Sequence, residues 1–271
     1  MRDLLTSAVQ MKAGPDRAAN LSAAARAVHE ARRAGAELVV LPEMFSWRGP
    51  PAEEANRAES IPGPTSRWAC ELSAREGVYL VAGSMLEKSS DPRRCFNTSI
   101  LTGPGGNTMA VYRKIHLFDV DLPGRVTIRE SRSRCAGDRV VCADTPLGRI
   151  GLAICYDLRF PELFRSLADH GAEIVAVPSA FTAPTGKAHW ETLLRARAVE
   201  NQCYLAAADQ FGPTEYGFAD YGHSMLVDPW GEVLAQAGND HATVVTARFE
   251  AKRLDRVRSE LPALQHRREF S

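Results

Sequence analysis

Gly35-Ala36-Glu37-Leu38-Val39-Val40-Leu41-Pro42 returns later in the chain as Gly171-Ala172-Glu173-Ile174-Val175-Ala176-Val177-Pro178. In both copies helical residues run up to the glycine, a short apolar run follows, and proline closes it. A glycine just past a helix end and an unbroken apolar run mark a helix feeding a strand buried on both faces. Further pairs repeat at one common offset: Tyr79-Leu80 with Tyr204-Leu205, Ser99 with Ser224, Pro104 with Pro229, and Gly106 with Gly231. Each half then continues through another helix and strand into a hairpin. The hairpin turns are Gly103-Pro104-Gly105-Gly106-Asn107 and Asp228-Pro229-Trp230-Gly231. Two similar layered halves can bury their sheets against each other and keep their helices outside. The expected fold is α/β, a four-layer α-β-β-α sandwich with a pseudo-twofold internal repeat, built by residues 1–271 as one domain.

Length and composition narrow the function classes. With 271 residues, 45% of them hydrophobic, the chain has the make-up of an ordinary globular enzyme. Its 33 basic residues are matched by 33 acidic ones. No global field therefore recruits nucleic acid or an anionic membrane surface. The sequence reaches Asp3 almost at once, which argues against a signal peptide, and no run approaches the roughly 20 apolar residues of a membrane span. The six cysteines are Cys70, Cys95, Cys135, Cys142, Cys155 and Cys203. None forms a C-x-x-C pair and no histidine cluster stands at zinc-ligand spacing, so no metal site is expected. Scattered cysteines suit a reducing cytoplasm, with five in packing or surface roles and one as a chemical thiol.

Gly151-Leu152-Ala153-Ile154-Cys155-Tyr156-Asp157-Leu158-Arg159-Phe160-Pro161-Glu162 singles out that thiol. A buried strand runs into Cys155 and turns at once into a helix. The N–H groups that follow, Tyr156 first, and the positive end of the helix dipole favour a thiolate and a carbonyl-derived oxyanion. Glu43 in Leu41-Pro42-Glu43-Met44-Phe45 and Lys114 in Tyr112-Arg113-Lys114-Ile115-His116 each follow a strand-like run of their own. Singly, all three have plain readings: a core cysteine, a carboxylate capping the segment after Phe45, and a lysine snorkelling from a strand end. Together at three strand ends they supply a base, an oxyanion cation and a nucleophile for acyl transfer. Only one half carries the carboxylate, because the counterpart of Glu43 is Ser179. Asp157, Arg159 and Glu162 read as holding the elbow rather than touching substrate. His116, His189 and His223 read as structural. A histidine-based cysteine hydrolase is the rival mechanism, but no papain-type Cys-Trp flank is present. Phe181 and Trp190 are candidates to line the pocket mouth and fit ordinary packing equally well.

The motifs around Glu43, Lys114 and Cys155, with Ala188-His189-Trp190-Glu191 and Tyr221-Gly222-His223-Ser224-Met225, resemble the nitrilase superfamily of carbon–nitrogen hydrolases across nearly the whole chain. They are most similar to its amidase branch, which contains deaminated glutathione amidase and omega-amidase. The resemblance implies the α-β-β-α sandwich and cofactor-free Glu-Lys-Cys catalysis through a thioester. It also implies a supporting role for Glu130, orienting Lys114 and contacting the scissile amide, with a surface salt bridge as the plain alternative. Cys135-Ala136-Gly137-Asp138 stands where Pro-Gly-Asp is common in the family, and Ala136 loosens that turn. The implied substrate is a small carboxylate-bearing amide with a 2-oxoglutaryl or similar acyl group, deaminated glutathione before others. An omega-amidase acting on 2-oxoglutaramate, an N-carbamoyl-amino-acid hydrolase and, in a different class, a thioester-based acyltransferase are the alternatives. A non-enzymatic binding subunit would be expected to lose one of the three catalytic residues, and none is lost. Discrimination between leaving groups is expected in the loops after Pro178 and around residues 211–222, where residues 212–217 are the least family-like. The resemblance further implies a homodimer, with a tetramer as the extension, and no nucleic-acid or membrane partner.

Overall fold

A computed structural model describes residues 1–124, 126–215 and 217–268, so Tyr216 of the divergent loop lies outside the described residues. Two sheets carry the fold. The first runs Thr243–Phe249, Leu4–Gln10, Leu38–Val40, Tyr79–Lys88, Cys95–Thr102 and Thr108–Arg113 in spatial order, with Arg134–Cys135 added beside Cys95–Thr102. The second runs Cys142–Thr145, Gly148–Leu152, Ile174–Ser179, Tyr204–Asp209, Met225–Val227 and Val233–Gln236. In each, the second, third and fourth strands are parallel and the other neighbours antiparallel, except that Arg134–Cys135 runs parallel to Cys95–Thr102. The repeat read in the sequence is thus a repeat in space.

Parallel neighbours need a crossover, and helices supply it. Arg17–Arg33 and Pro64–Glu76 serve the first sheet, Pro161–Asp169 and Ala183–Asn201 the second. Gly35 and Gly171 follow the first helix of each half with φ of 90° and 80°, the left-handed turn that returns the chain to the sheet. Side chains then alternate as a strand requires. Leu38 and Val40 enter the core shared with Leu152, Ile174 and Ala176 of the second sheet. Val39 and Leu41 instead face Val28, Ala31, Ala69 and Leu72 on the outer helices. Phe164, Leu167, Leu194 and Ala198 cover the far side of the second sheet. Each such buried Leu, Val or Phe contributes about 1.5–3 kcal/mol relative to exposure. The layers are helix, sheet, sheet, helix, as expected.

Two small hairpins stand outside the sheets, Asp119–Leu122 with Val126–Arg129 and Phe211–Pro213 with Ala219–Tyr221. Among the described residues, no helix is long and apolar enough to cross a membrane. One close approach shapes the site. The register of Tyr79–Lys88 slips between Ala82 and Met85, and a Cβ at Gly83 would lie 2.0 Å from the Pro42 carbonyl oxygen. Only glycine lets this strand pass beside the residue that presents Glu43.

Candidate active site

Glu43, Lys114 and Cys155 lie far apart in sequence and meet at one cavity of about 620 Å³, together with Glu130. The ends of three strands bring them there: Glu43 three residues beyond Leu38–Val40, Lys114 directly after Thr108–Arg113, and Cys155 three residues beyond Gly148–Leu152. Lys114 is 1% exposed, which an ammonium tolerates only with partners. Its Nζ donates to Glu43 Oε1 at 2.9 Å and to Glu130 Oε1 and Oε2 at 3.1 and 3.0 Å. Burial alone would lower its pKa, but the carboxylates of Glu130 and Glu43 outweigh that and hold it charged. Asn97 donates to the same Glu43 oxygen at 2.7 Å and accepts the Lys114 N–H at 2.8 Å. It therefore ties base and cation together.

Glu130 is a buried anchor rather than a surface ion pair. Besides Lys114 it receives the Phe118 N–H at 2.7 Å and pairs with Arg134, which binds Glu54 through two further hydrogen bonds. Burial works to raise its pKa, and Lys114 and Arg134 bring it below the usual carboxylate range. Gly137 donates to the Lys114 carbonyl at 2.8 Å, so the turn with Ala136 remains fixed to the strand end. A Cβ at Gly137 would meet the Arg113 carbonyl oxygen at 2.2 Å.

Cys155 sits at a sharp elbow with φ of 48°, a sparsely populated backbone for a non-glycine residue. The turn it opens is a five-residue 3-10 segment, Cys155–Arg159, and the α-helix begins only at Pro161. This corrects the expected strand-to-helix junction, and with it the expected thiolate. Burial, then the Glu43 carboxylate in hydrogen-bonding reach, push the thiol well above its usual pKa. Lys114 and the Ala180 N–H pull the other way and do not prevail. The resting group is a neutral thiol beside a base.

Asp157 holds this elbow, as the sequence suggested. It accepts the Ile154 N–H at 2.9 Å and the Tyr112 hydroxyl at 2.6 Å through Oδ2, and both the N–H and Nδ1 of His116 through Oδ1. Tyr112 and His116 flank Lys114, so one buried carboxylate sets nucleophile and cation in register. His116 also stacks on Phe160 at 3.6 Å, and His223 accepts the Trp190 indole N–H at 2.8 Å through its carbonyl. Both are structural. Trp190 is wholly buried and lines no cavity near the thiol, which corrects its expected place at the pocket mouth. Its large ring fills the core under Phe181, 4.8 Å away. Phe181 does line a tight cleft of about 10 Å³ beside Cys155, with Phe118, Tyr156, Arg159, Thr182 and Thr185. Glu162 is exposed in the first turn of Pro161–Asp169 and holds neither the elbow nor the cavity.

Arg159 braces the elbow and a neighbouring helix, as expected. Its guanidinium lies against the Tyr156 and Phe181 rings and 3.2 Å from His189 Nδ1. It pairs with no carboxylate among the described residues, and burial lowers its pKa. No local sequence signal separates it from the other arginines.

A family model described as carbon-nitrogen hydrolase matches residues 5–259. The chain belongs to that family. This carbon-nitrogen hydrolase is 39% identical to omega-amidase NIT2 of Homo sapiens, over 96% of its own length and 93% of that protein. It is 40% identical to a deaminated glutathione amidase of Synechocystis sp. (strain PCC 6803 / GT-S), over 98% and 99% of the two chains. Among solved structures it resembles the C. elegans NitFhit protein, with a TM-score of 0.92 and 39% identity. That match covers 99% of this chain and 66% of the other. Fold, family and reaction class agree: the protein is an amidase of the nitrilase superfamily.

Proposed function

We propose that Cys155, Glu43 and Lys114 hydrolyse a small carboxylate-bearing amide through a thioester, with deaminated glutathione as the substrate. The observation that carries the chemistry is a buried thiol in hydrogen-bonding reach of a carboxylate that a buried lysine keeps in place. Glu43 takes the thiol proton as sulfur attacks the carbonyl carbon. One Lys114 N–H serves Glu43 and another is shared by the two Glu130 oxygens, which leaves the third for the oxyanion. The Tyr156 N–H is the second donor. The C–N bond then breaks, the departing nitrogen takes the proton from Glu43, and the acyl group stays on Cys155. Water gives a proton to Glu43, attacks the thioester and releases the acid and the thiol. Glu130 fixes the Lys114 ammonium throughout. Six free cysteines suit this chemistry in the cytoplasm.

Two spaces adjoin the thiol, and the larger supports the substrate reading. Arg159 lines a cleft of only about 10 Å³ beside the thiol, so its proposed part is to meet a keto-acid carboxylate at the cleft's mouth. Arg159→Gln is expected to raise KM for such amides about tenfold, the scale of a hydrogen bond to a charged group. An uncharged short-chain amide should be far less affected, and equal losses for both in steady-state assays would remove the anchor role. The larger space, about 620 Å³, lies within the ordinary range for a ligand pocket. Ammonia needs only the roughly 30 Å³ of a water-sized group, whereas a cysteinylglycine leaving group uses the space. Remote contacts made there can lower the barrier. The expected result is a clearly higher kcat/KM for deaminated glutathione than for 2-oxoglutaramate in a side-by-side assay. Comparable or reversed values would move the enzyme to the omega-amidase reading.

A further inference from the structure

The large cavity carries more positive charge than its own carboxylates can match. Its described lining includes three carboxylates, Glu43, Glu54 and Glu130, against Arg48, Arg93, Lys114, Arg129, Arg132 and Arg134. Four of these cations are already matched: Lys114 by Glu43 and Glu130, Arg134 by Glu54 and Glu130, Arg48 by Asp220, and Arg93 by Asp91. Arg129 faces Asp119 across the hairpin and has a loose contact of 3.7 Å with exposed Asp121, so it is partly matched. Arg132 makes no ion pair among the described residues. Both sit at the ends of the segment that presents Glu130, Arg129 closing the strand Val126–Arg129 and Arg132 closing the 3-10 turn Glu130–Arg132.

Resting on the function proposed above, we infer that Arg129 and Arg132 form a subsite for a free carboxylate on the amine side of the scissile bond. The ligand class is an amide whose leaving half is a short peptide with an unblocked C-terminus. The scale fits. A 3-10 turn rises about 2 Å per residue, so the two arginines lie within roughly 6 Å along its axis. Between them, Glu130 touches the Lys114 ammonium at 3.0 Å. Two extended residues span about 7 Å, which carries a C-terminal carboxylate from the scissile nitrogen towards this rim. Glu130 does not repel it, because Lys114 and Arg134 already neutralise that carboxylate. Arginine's planar fork suits a carboxylate better than a point charge does.

The test compares two substrates, deaminated glutathione and the same compound with its glycine carboxylate amidated, on the full chain. The wild type should prefer the acid by about fivefold in kcat/KM, the upper end for an ion pair open to water. Raising salt should erode that preference by screening. Arg132→Gln should bring the acid-to-amide ratio towards one, Arg129→Gln should lower it in part, and Arg132→Lys should restore most of it. A role in holding the turn alone would depress both substrates together and leave the ratio where it was. If the wild type hydrolyses acid and amidated forms equally, the subsite is wrong and the proposed substrate stands. If it prefers 2-oxoglutaramate to both, the substrate reading falls and the subsite falls with it.

Discussion

Glu43→Gln is expected to lower kcat for amide hydrolysis by about 10³-fold, within the 10²–10⁴ typical of a positioned general base, while the fold survives. The glutamine carbonyl oxygen can still accept from Asn97 and Lys114, which bond Glu43 at 2.7 and 2.9 Å, so the local network persists. What is lost is the carboxylate bonded to a thiol whose pKa burial holds well above its usual value. Without that base the attacking sulfur stays protonated, and the leaving nitrogen finds no acid. Cys155→Ala should abolish turnover outright. Groups that act as one unit are non-additive, so the double variant should be no worse than Cys155→Ala alone. Intact mass after quenching should show an acyl adduct on the wild type and none on Cys155→Ala. An adduct on Cys155→Ala, or near-normal turnover by Glu43→Gln, would dismantle the assignment.

Most of the fold could be read from the chain because its central strands are buried on both faces. Such strands appear as unbroken apolar runs between punctuating residues, and Gly35 to Pro42 and Gly171 to Pro178 show both signals twice. The repeat then supplied the symmetry without any long-range information. The hairpins Asp119–Leu122 with Val126–Arg129 and Phe211–Pro213 with Ala219–Tyr221 escaped that reading. They belong to neither repeat and carry no strong apolar alternation.

The site was less legible, for electrostatic reasons. Glu43, Lys114 and Cys155 stand out because charged residues at the ends of core strands demand partners. Which partners they find is a tertiary matter. Asn97, between base and cation, sits in a strand with nothing to mark it. Arg159 reads as an elbow residue, and only the assembled fold shows that no carboxylate among the described residues pairs with it. The thiolate expectation failed because a helix-terminus argument is local, whereas desolvation and the Glu43 charge depend on the assembled core. Trp190 failed for a simpler reason: an aromatic beside a motif is as often packing as pocket.

Lys114→Met should damage both catalysis and the fold, and the two losses should respond differently to pH. Removing an oxyanion donor costs about 10²–10³ in kcat. Removing the cation also leaves Glu43 and Glu130, both under a tenth exposed, facing each other with Arg134 and the more distant Arg48 as the remaining cations among the described residues. Breaking a buried pair in this way costs about 3–5 kcal/mol, or about 10 °C in Tm for a chain of this size. The sign with pH follows from the shifts. Lys114 is raised above its unfolded value, so its contribution is complete below about pH 10 and is lost only as pH climbs through the folded value. Glu130 is lowered, so its contribution is present above about pH 4.3 and disappears as pH falls through the folded value. Between these limits the wild type keeps both. In Lys114→Met the carboxylate cluster can relieve itself only by taking up a proton, which acid favours. The Tm gap between wild type and variant should therefore be widest near pH 8 and narrow towards pH 5, without any recovery of kcat. A gap of constant size across that range would mean that Lys114 stabilises the site by packing alone, and the charge-based account of how it holds Glu43 would have to go.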